Sequence, residues 1–314
     1  MPRTIAILGP TAVGKSWLGM EMASALSGEI ISADALQAYR GFDVGTAKPS
    51  PEERRRVPHH LIDILEPTER FSAGEFARRA LAAVKEISQR QKRPLVLGGS
   101  GLYLRALLEG ISVIPPTSTE IRAELRQRLD RDGLEALRRQ LQQLDLTTAT
   151  RLRAGDTQRI LRALEVVLST GRPLSSWLAD DPTGPGPLAA TRIGLTLPRS
   201  VLYDRIAVRV QAMIEVGWVE EVEELLDRGL SPELPPFQAI GYRQLAAFVG
   251  GETDLEEAVI STVKATCRYA KRQLTWFRKE RAVTWFSMKD PQECHREVMS
   301  FLIKQGIGGG NGQT

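Results

Sequence analysis

Gly9-Pro10-Thr11-Ala12-Val13-Gly14-Lys15-Ser16 carries the spacing G-x-x-x-x-G-K-[ST], and those residue types at that spacing bind phosphate. Glycines let backbone N–H groups close on an anion. Lys15 adds a point charge for a terminal phosphoryl group, and the Ser16 hydroxyl is placed to hold Mg²⁺. A chance glycine-rich turn would lack the right neighbours. Here an apolar run, Thr4 to Leu8, reads as a buried strand before the loop, and Trp17 to Leu26 reads as a helix after it. The motif says that a polyphosphate binds but not what happens to it. Two further features fall where strands end. Glu29 to Ala33 reads as a strand ending at Asp34, and Arg93 to Leu97 as one ending in Gly98-Gly99-Ser100-Gly101. In an open parallel sheet, ligands bind outside the carboxyl ends of the strands, so these segments should converge with the phosphate loop. Asp34 could be an outer carboxylate of a Mg²⁺ site, a base for an acceptor's proton, or a plain helix N-cap. Ser100 could donate to a transferring group. The loop type is shared with ATP-binding proteins, but the strand that should end in a metal-binding aspartate ends in Gly-Gly, which argues against ATP hydrolysis.

The elements that must position these groups alternate strand and helix. Gly74 to Gln91 and the segment from Leu102 read as helices, and Gly41 to Pro67, rich in Pro, Gly and charge, as an ordered functional loop. This is the signature of an α/β fold, a phosphate-loop parallel sheet flanked by helices. Beyond Pro115-Pro116 only helical periodicity is left, over Glu120 to Arg131, Leu134 to Leu144 and Thr157 to Thr170, with Gly171 as a C-cap. The segment is dense in arginine, Arg122, Arg126, Arg138, Arg139, Arg151, Arg153, Arg159 and Arg162 among them. Asp180 to Pro187 reads as a turn-rich linker, and Thr191 to Leu197 as a strand returning to the sheet. The expected organisation is therefore a catalytic core over 1–116 and 190–305, an all-helical insertion over 117–189 and a disordered glycine-rich tail over 306–314. Val283 to Phe286 reads as a last strand.

The 314 residues, 42% hydrophobic and 25% charged, suit a globular protein of this size. No apolar run is long enough to span a bilayer, and the first strand starts too early to leave room for a signal peptide, so the expectation is a cytoplasmic protein with no membrane contact. Cys267 and Cys294 lack partners at metal spacing and read as reduced thiols. The formal charge of +4 is mild, but its distribution is not. Lys264, Arg268, Lys271, Arg272, Arg278, Lys279 and Arg281 are opposed in their stretch only by Glu280, with Tyr269, Trp276 and Phe277 interleaved. On a helix, Lys264, Arg268, Lys271 and Arg272 share one face. A basic stripe in a chain with a phosphate loop points to RNA or pyrophosphate.

Asp34-Ala35-Leu36-Gln37-Ala38-Tyr39-Arg40-Gly41-Phe42-Asp43-Val44-Gly45-Thr46-Ala47-Lys48-Pro49, following the phosphate loop, closely resembles the tRNA dimethylallyltransferase family. Further matching blocks are His60 to Ile64, Phe71 to Phe76, Gly98 to Tyr103, Asp156 to Ile160, Gly241 to Gln244 and Ala270 to Trp276, so the resemblance runs over about residues 3 to 305. It implies Mg²⁺-dependent transfer of a dimethylallyl group from dimethylallyl diphosphate to N6 of the adenosine 3′ of the anticodon, in tRNAs reading codons that begin with U. It implies Asp34 as general base, with Ser100 and Arg209 assisting the diphosphate and its bridging oxygen. It implies contacts to tRNA from Asp34, Ala35, Leu36, Gln37, Ser100, Arg122, Gln158, Arg159, Ile160, Leu161, Arg162, Gly241, Tyr242, Arg243, Lys271 and Arg272. Ser16 and Ser100 stand where Thr is usual and keep the hydroxyl. Ala35 stands for a usual Ser and loses one, and Cys267-Arg268-Tyr269 departs from a usual Arg-Gln-Leu. No obligate protein partner is expected, and a monomer suffices.

Three other readings start from the same residues. A small-metabolite kinase predicts ATP turnover and has no use for an RNA-binding insertion. A non-catalytic RNA-binding module explains the basic helices but not Asp34 beside a phosphate loop. A prenyltransferase acting on free AMP shares the loop logic, but the arginine-rich insertion argues against it.

Overall fold

The computed structural model describes residues 3–179, 187–280 and 282–308. Asp180 to Gly186 of the expected linker, Arg281 of the basic stretch and Gly309 to Thr314 of the expected tail lie outside the described residues. The chain divides into two compact units, Met1–Glu109 with Gly186–Thr314, and Gly110–Pro185.

The first unit is built on six strands: β1 (Thr4–Leu8), β2 (Gly28–Ala33), β3 (His59–His60), β4 (Arg93–Gly98), β5 (Ala190–Thr196) and β6 (Val283–Ser287). Their order is β3-β2-β4-β1-β5-β6 and every pairing is parallel. β1 and β2 are buried along their whole length. Continuous apolar runs rather than alternation are what a sheet covered on both faces requires. β3 escapes a reading based on apolar patterning because it is two histidines, held in place by pairing with Ile30 and Ile31.

Helices cover the sheet. α1 (Lys15–Ala25) follows the phosphate loop, and α2 (Pro51–Arg56), α3 (Ala73–Gln89) and α4 (Gly101–Leu108) lie before the second unit. α2 starts with a capping box, in which Ser50 accepts from the Glu53 amide and Glu53 accepts from the Ser50 amide. β1, sitting between β4 and β5, brings its own end and those of β2 and β4 to one edge.

The second unit contains α5 (Thr119–Leu144), α6 (Leu146–Arg151), α7 (Thr157–Thr170) and α8 (Leu174–Ala179). α5 is broken at Gly133, whose φ of 76° and ψ of 168° are non-helical, so the sequence reading of two helices either side of it is the structural one. Leu125, Leu137, Leu141, Ile160, Ala163 and Leu164 form the core of this unit. Asp145 caps α6, accepting from the Thr148 amide at 3.0 Å and from the Ser175 amide at 2.9 Å.

Back in the first unit, α9 (Arg199–Glu215), α10 (Trp218–Asp227), a 3₁₀ turn (Pro235–Gln238), α11 (Tyr242–Val249), α12 (Leu255–Phe277) and α13 (Pro291–Lys304) complete the chain. α12 packs on α9, α11 and α4, and α13 on α1. Among the described residues no helix is long and apolar enough to cross a membrane.

Candidate active site

The loop after β1 has the backbone shape of an anion cradle. Gly14 caps α1 at φ 108°, a conformation only glycine adopts without strain, and Ala12 is held left-handed at φ 61°. The backbone N–H groups from Ala12 to Trp17 donate to no group among the described residues, whereas the Thr11 amide donates to Gln273 Oε1 at 2.9 Å. Lys15 Nζ donates to the carbonyls of Gly9 at 3.0 Å and Pro10 at 2.7 Å. Burial, followed by the repulsion of Arg209 and partly offset by Asp34, brings the Lys15 pKa down to about 7. A polyphosphate beside it would restore its charge. Val13 turns into the core and is wholly buried.

Two cavities meet at this edge. The first, of about 160 Å³, mixes polar and apolar surface and holds Lys15, Ser16, Gln37 and Gly99 in its wall. The second, of about 470 Å³, is more apolar, lined by Ile206, Val210, Met213, Trp218, Pro235 and Ile240, with Ala35, Leu36, Ser100 and Arg272 also in its wall. Thr11, Asp34, Thr46, Arg209 and Tyr269 belong to both. Asp34 Oδ1 accepts from the Leu36 amide at 2.9 Å, which fixes the carboxylate at the junction. Arg209, half-buried on α9, has no hydrogen-bond or ion-pair partner among the described residues. Burial lowers its pKa and Asp34 raises it. The Tyr269 hydroxyl lies beside Ser100 and Gln273, and burial, with Asp34 adding to it, pushes its pKa up to about 12. The phenol therefore stays protonated near neutral pH.

Three side chains that the sequence did not single out hold the site together. Gln273 on α12, besides binding Thr11, donates through Nε2 to the Gly99 carbonyl at 2.9 Å, so one buried amide ties the ends of β1 and β4. Glu221 on α10 accepts from the amides of Asp43 at 2.7 Å, Val44 at 2.6 Å and Gly45 at 3.3 Å, and from the Tyr242 hydroxyl at 2.6 Å. Trp218 packs so closely on Gly45 that a Cβ there would lie 2.1 Å from its ring nitrogen. Lys48, inside the block that carries the resemblance, is likewise structural. It donates to the Tyr39 carbonyl at 2.7 Å and pairs with Asp63 at 2.6 Å and with Asp43. Gln37 accepts from Ser32 Oγ at 2.7 Å and donates to the Thr46 carbonyl at 3.2 Å.

Exposure separates the residues expected to touch RNA. Lys271, Arg272 and Arg243 are exposed, and Lys271 and Arg272 line a groove with Arg105, Arg268 and Lys279. Tyr242 is wholly buried, against Phe42 and Trp218, and Gly241 lies under the Trp218 ring. Neither offers an RNA any surface, and Tyr242 acts through Glu221. In the helical unit Gln158 and Arg159 are exposed, Leu161 is half-buried, and Ile160 is a core residue at 1% exposure. Arg122 donates from Nε to Glu165 Oε1 at 3.0 Å, and Arg162 reaches the same carboxylate at 3.4 Å.

An anion cradle, a carboxylate and an apolar chamber at one edge of a parallel sheet define a phosphate-loop α/β protein built to bring a polyphosphate against an acceptor. The profile of the family described as IPP transferase matches residues 37–280, and the chain belongs to that family. The tRNA dimethylallyltransferase 1 of Trichlorobacter lovleyi is 48% identical over 284 residues, spanning 90% of this chain and 93% of its own. Two solved structures are similar throughout. The tRNA isopentenylpyrophosphate transferase of Bacillus halodurans is 38% identical with a TM-score of 0.69, covering 98% of both chains. That of Staphylococcus epidermidis is 35% identical with a TM-score of 0.70, covering 97% of this chain and 100% of its own.

Proposed function

We propose that this protein transfers the dimethylallyl group of dimethylallyl diphosphate to N6 of the adenosine 3′ of the anticodon in tRNA, releasing diphosphate. The observation that carries the reading is the junction of the two cavities at Asp34 and Arg209. A diphosphate in the cradle and an adenine in the apolar chamber would meet there. Adenine N6 is a poor nucleophile because its lone pair is delocalised into the ring. An allylic diphosphate compensates, since its C1–O bond loosens with cationic character on the allyl group. The N6 lone pair forms the new bond to C1, the C1–O electron pair leaves with the diphosphate, and the N6 proton passes to Asp34. The loop amides, Lys15 and Arg209 meet the charge growing on the diphosphate, and Ser100 with Tyr269 can donate to its bridging oxygen. The adenosine must leave the anticodon-loop stack to reach the sheet edge.

Mg²⁺ fits the donors present. Among the described residues no group of three or more His, Cys, Asp or Glu side chains could hold a metal, and Mg²⁺ beside phosphates needs few protein ligands. The Ser16 hydroxyl would hold it together with diphosphate oxygens, and it would neutralise part of the leaving-group charge. We place the enzyme in the cytoplasm, where its tRNA acceptor is found, acting without an obligate protein partner.

The helical unit is the proposed grip on the anticodon arm, mostly through phosphates. Arg159, with its side chain 70% exposed, should carry such a contact, while Arg122, at 19%, is committed to Glu165. Arg159→Ala is expected to weaken tRNA binding and to reduce the slope of log K against log salt by about one unit, with diphosphate binding unchanged. Arg122→Ala should instead lower the melting temperature, because it leaves the largely buried Glu165 carboxylate with only the longer 3.4 Å contact from Arg162 as a charged partner. Fluorescence titration over a salt series together with thermal melts checks both, and an unchanged slope in Arg159→Ala would remove it from the interface. The decisive test of the function is product mass. One dimethylallyl unit should appear on an anticodon-loop adenosine, with diphosphate released and no ATP consumed. Phosphoryl transfer from ATP would favour the kinase.

A further inference from the structure

The phosphate cradle opens on an outer side where one arginine, Arg205, has no part in the reaction scheme. A cavity of about 270 Å³ opens there, lined by Ala12, Gly14, Lys15, Ser16, Trp17, Arg205 and Arg209. Its floor is the run of loop and first-turn amides without protein acceptors. Its wall is α9, which presents Arg205 and Arg209 one turn apart. Like charges at that spacing destabilise a helix. Neither guanidinium has a carboxylate partner among the described residues, and the one bond Arg205 makes is a long donation, 3.4 Å, to the Met288 carbonyl. Lys15 adds a further cation. The opposing carboxylate, Asp34, lies on the inner side, in the walls of the other two cavities. An arrangement of this kind is short of negative charge on its outer side.

We propose that Arg205 binds the terminal phosphoryl group of the diphosphate from the outer side of the loop, so that the anion is clamped between the α1 N-terminus and an arginine pair on α9. This rests on the diphosphate reading above and adds to it a division of labour. Arg209, which faces Asp34 and both inner cavities, meets the charge that grows at the bridging oxygen as the bond breaks. Arg205, which lines the outer cavity alone of the three, holds charge that the terminal phosphoryl carries throughout. A planar guanidinium suits two phosphoryl oxygens at once. An interaction equally strong in ground and transition states belongs in KM rather than kcat.

The test measures binding of inorganic diphosphate by calorimetry, together with steady-state kinetics, for the wild type, Arg205→Ala, Arg205→Lys and Arg209→Ala. For Arg205→Ala the dissociation constant for diphosphate should rise about 10- to 100-fold, the range for a lost charge-assisted bond. KM for dimethylallyl diphosphate should rise in parallel, with kcat changed only a few-fold and tRNA affinity unchanged. Arg205→Lys should recover part of the loss, and Arg209→Ala should lower kcat. Diphosphate affinity within twofold of wild type in Arg205→Ala would overturn the assignment. So would a loss confined to tRNA affinity, which would place the arginine on the RNA surface. If Arg205→Ala fails to fold, Arg205→Lys still decides, because loss of bidentate geometry alone should weaken diphosphate binding. A wild type that prenylates no tRNA would sink the functional reading instead, and the comparison of diphosphate affinities would still stand.

Discussion

Asp34→Asn is expected to lower kcat by roughly 10²- to 10⁴-fold, the range for a lost general base, while tRNA and diphosphate bind as in the wild type. The substitution is nearly isosteric. The bond that fixes the side chain is the 2.9 Å donation from the Leu36 amide to Oδ1, and an asparagine carbonyl oxygen accepts it equally well. What the amide cannot do is take the N6 proton as the bond to C1 forms. The same change removes a negative charge from the wall of the cavity beside the phosphate loop, and with it a repulsion on the anion, so diphosphate affinity should hold or improve slightly. That asymmetry separates a base from a structural cap. A structural role would cost stability and binding together, whereas a chemical role costs turnover alone. Single-turnover prenylation with saturating tRNA and donor makes the measurement, and a rate within a few-fold of wild type would take Asp34 out of the chemistry.

The parts of this site that local sequence specifies were legible and the parts built by long-range contact were not. The loop from Gly9 to Ser16 and the carboxylate after β2 announce themselves because a glycine pattern and an apolar run lie within a few residues of each other. Gln273 gives no such signal. It meets Thr11 across 262 residues of chain, and nothing in the spacing of α12 says that this side chain turns inward while Lys271 and Arg272 turn out. Glu221 is one carboxylate in an acidic helix, and only the fold brings the Asp43 to Gly45 amides to it. Arg209 stands out only through family resemblance, because one arginine among several on α9 carries no mark of its own. Resemblance also has a limit of resolution, since it marks blocks such as Gly241 to Gln244 without saying which side chain faces out. Tyr242 and Ile160 fall in such blocks and are core residues, and burial distinguishes them from Arg243 and Arg159.

Lys15→Ala should lower kcat by about 10²-fold or more and raise KM for dimethylallyl diphosphate, with tRNA affinity unchanged, by analogy with the loss of one oxyanion donor. Lys15 is turned back on the Gly9 and Pro10 carbonyls in a site that penalises its charge. As the C1–O bond breaks, negative charge accumulates on the diphosphate, and an ammonium in this poorly solvated position gains most at that moment, which is why the effect belongs in kcat as well as in KM. Lys15→Arg should not rescue it, since a guanidinium is too broad for a position packed against its own loop. Stability should move the other way. Lys15 titrates near 7 in the folded chain against an ordinary 10.5, so the unfolded chain binds more protons between those values. The lysine's cost to the fold is complete below about pH 7 and is relieved as pH rises toward 10.5. Removing the side chain should therefore leave the melting temperature unchanged or raise it near neutral pH, so lost turnover cannot be put down to lost structure. Chelating divalent metal from the wild type should abolish transfer by the same route, through the uncompensated charge of the leaving group. A Lys15→Ala enzyme with normal kcat and only a raised KM would show that the loop binds the donor without sharing in the chemistry, and the charge stabilisation would then rest on Arg209 and the metal.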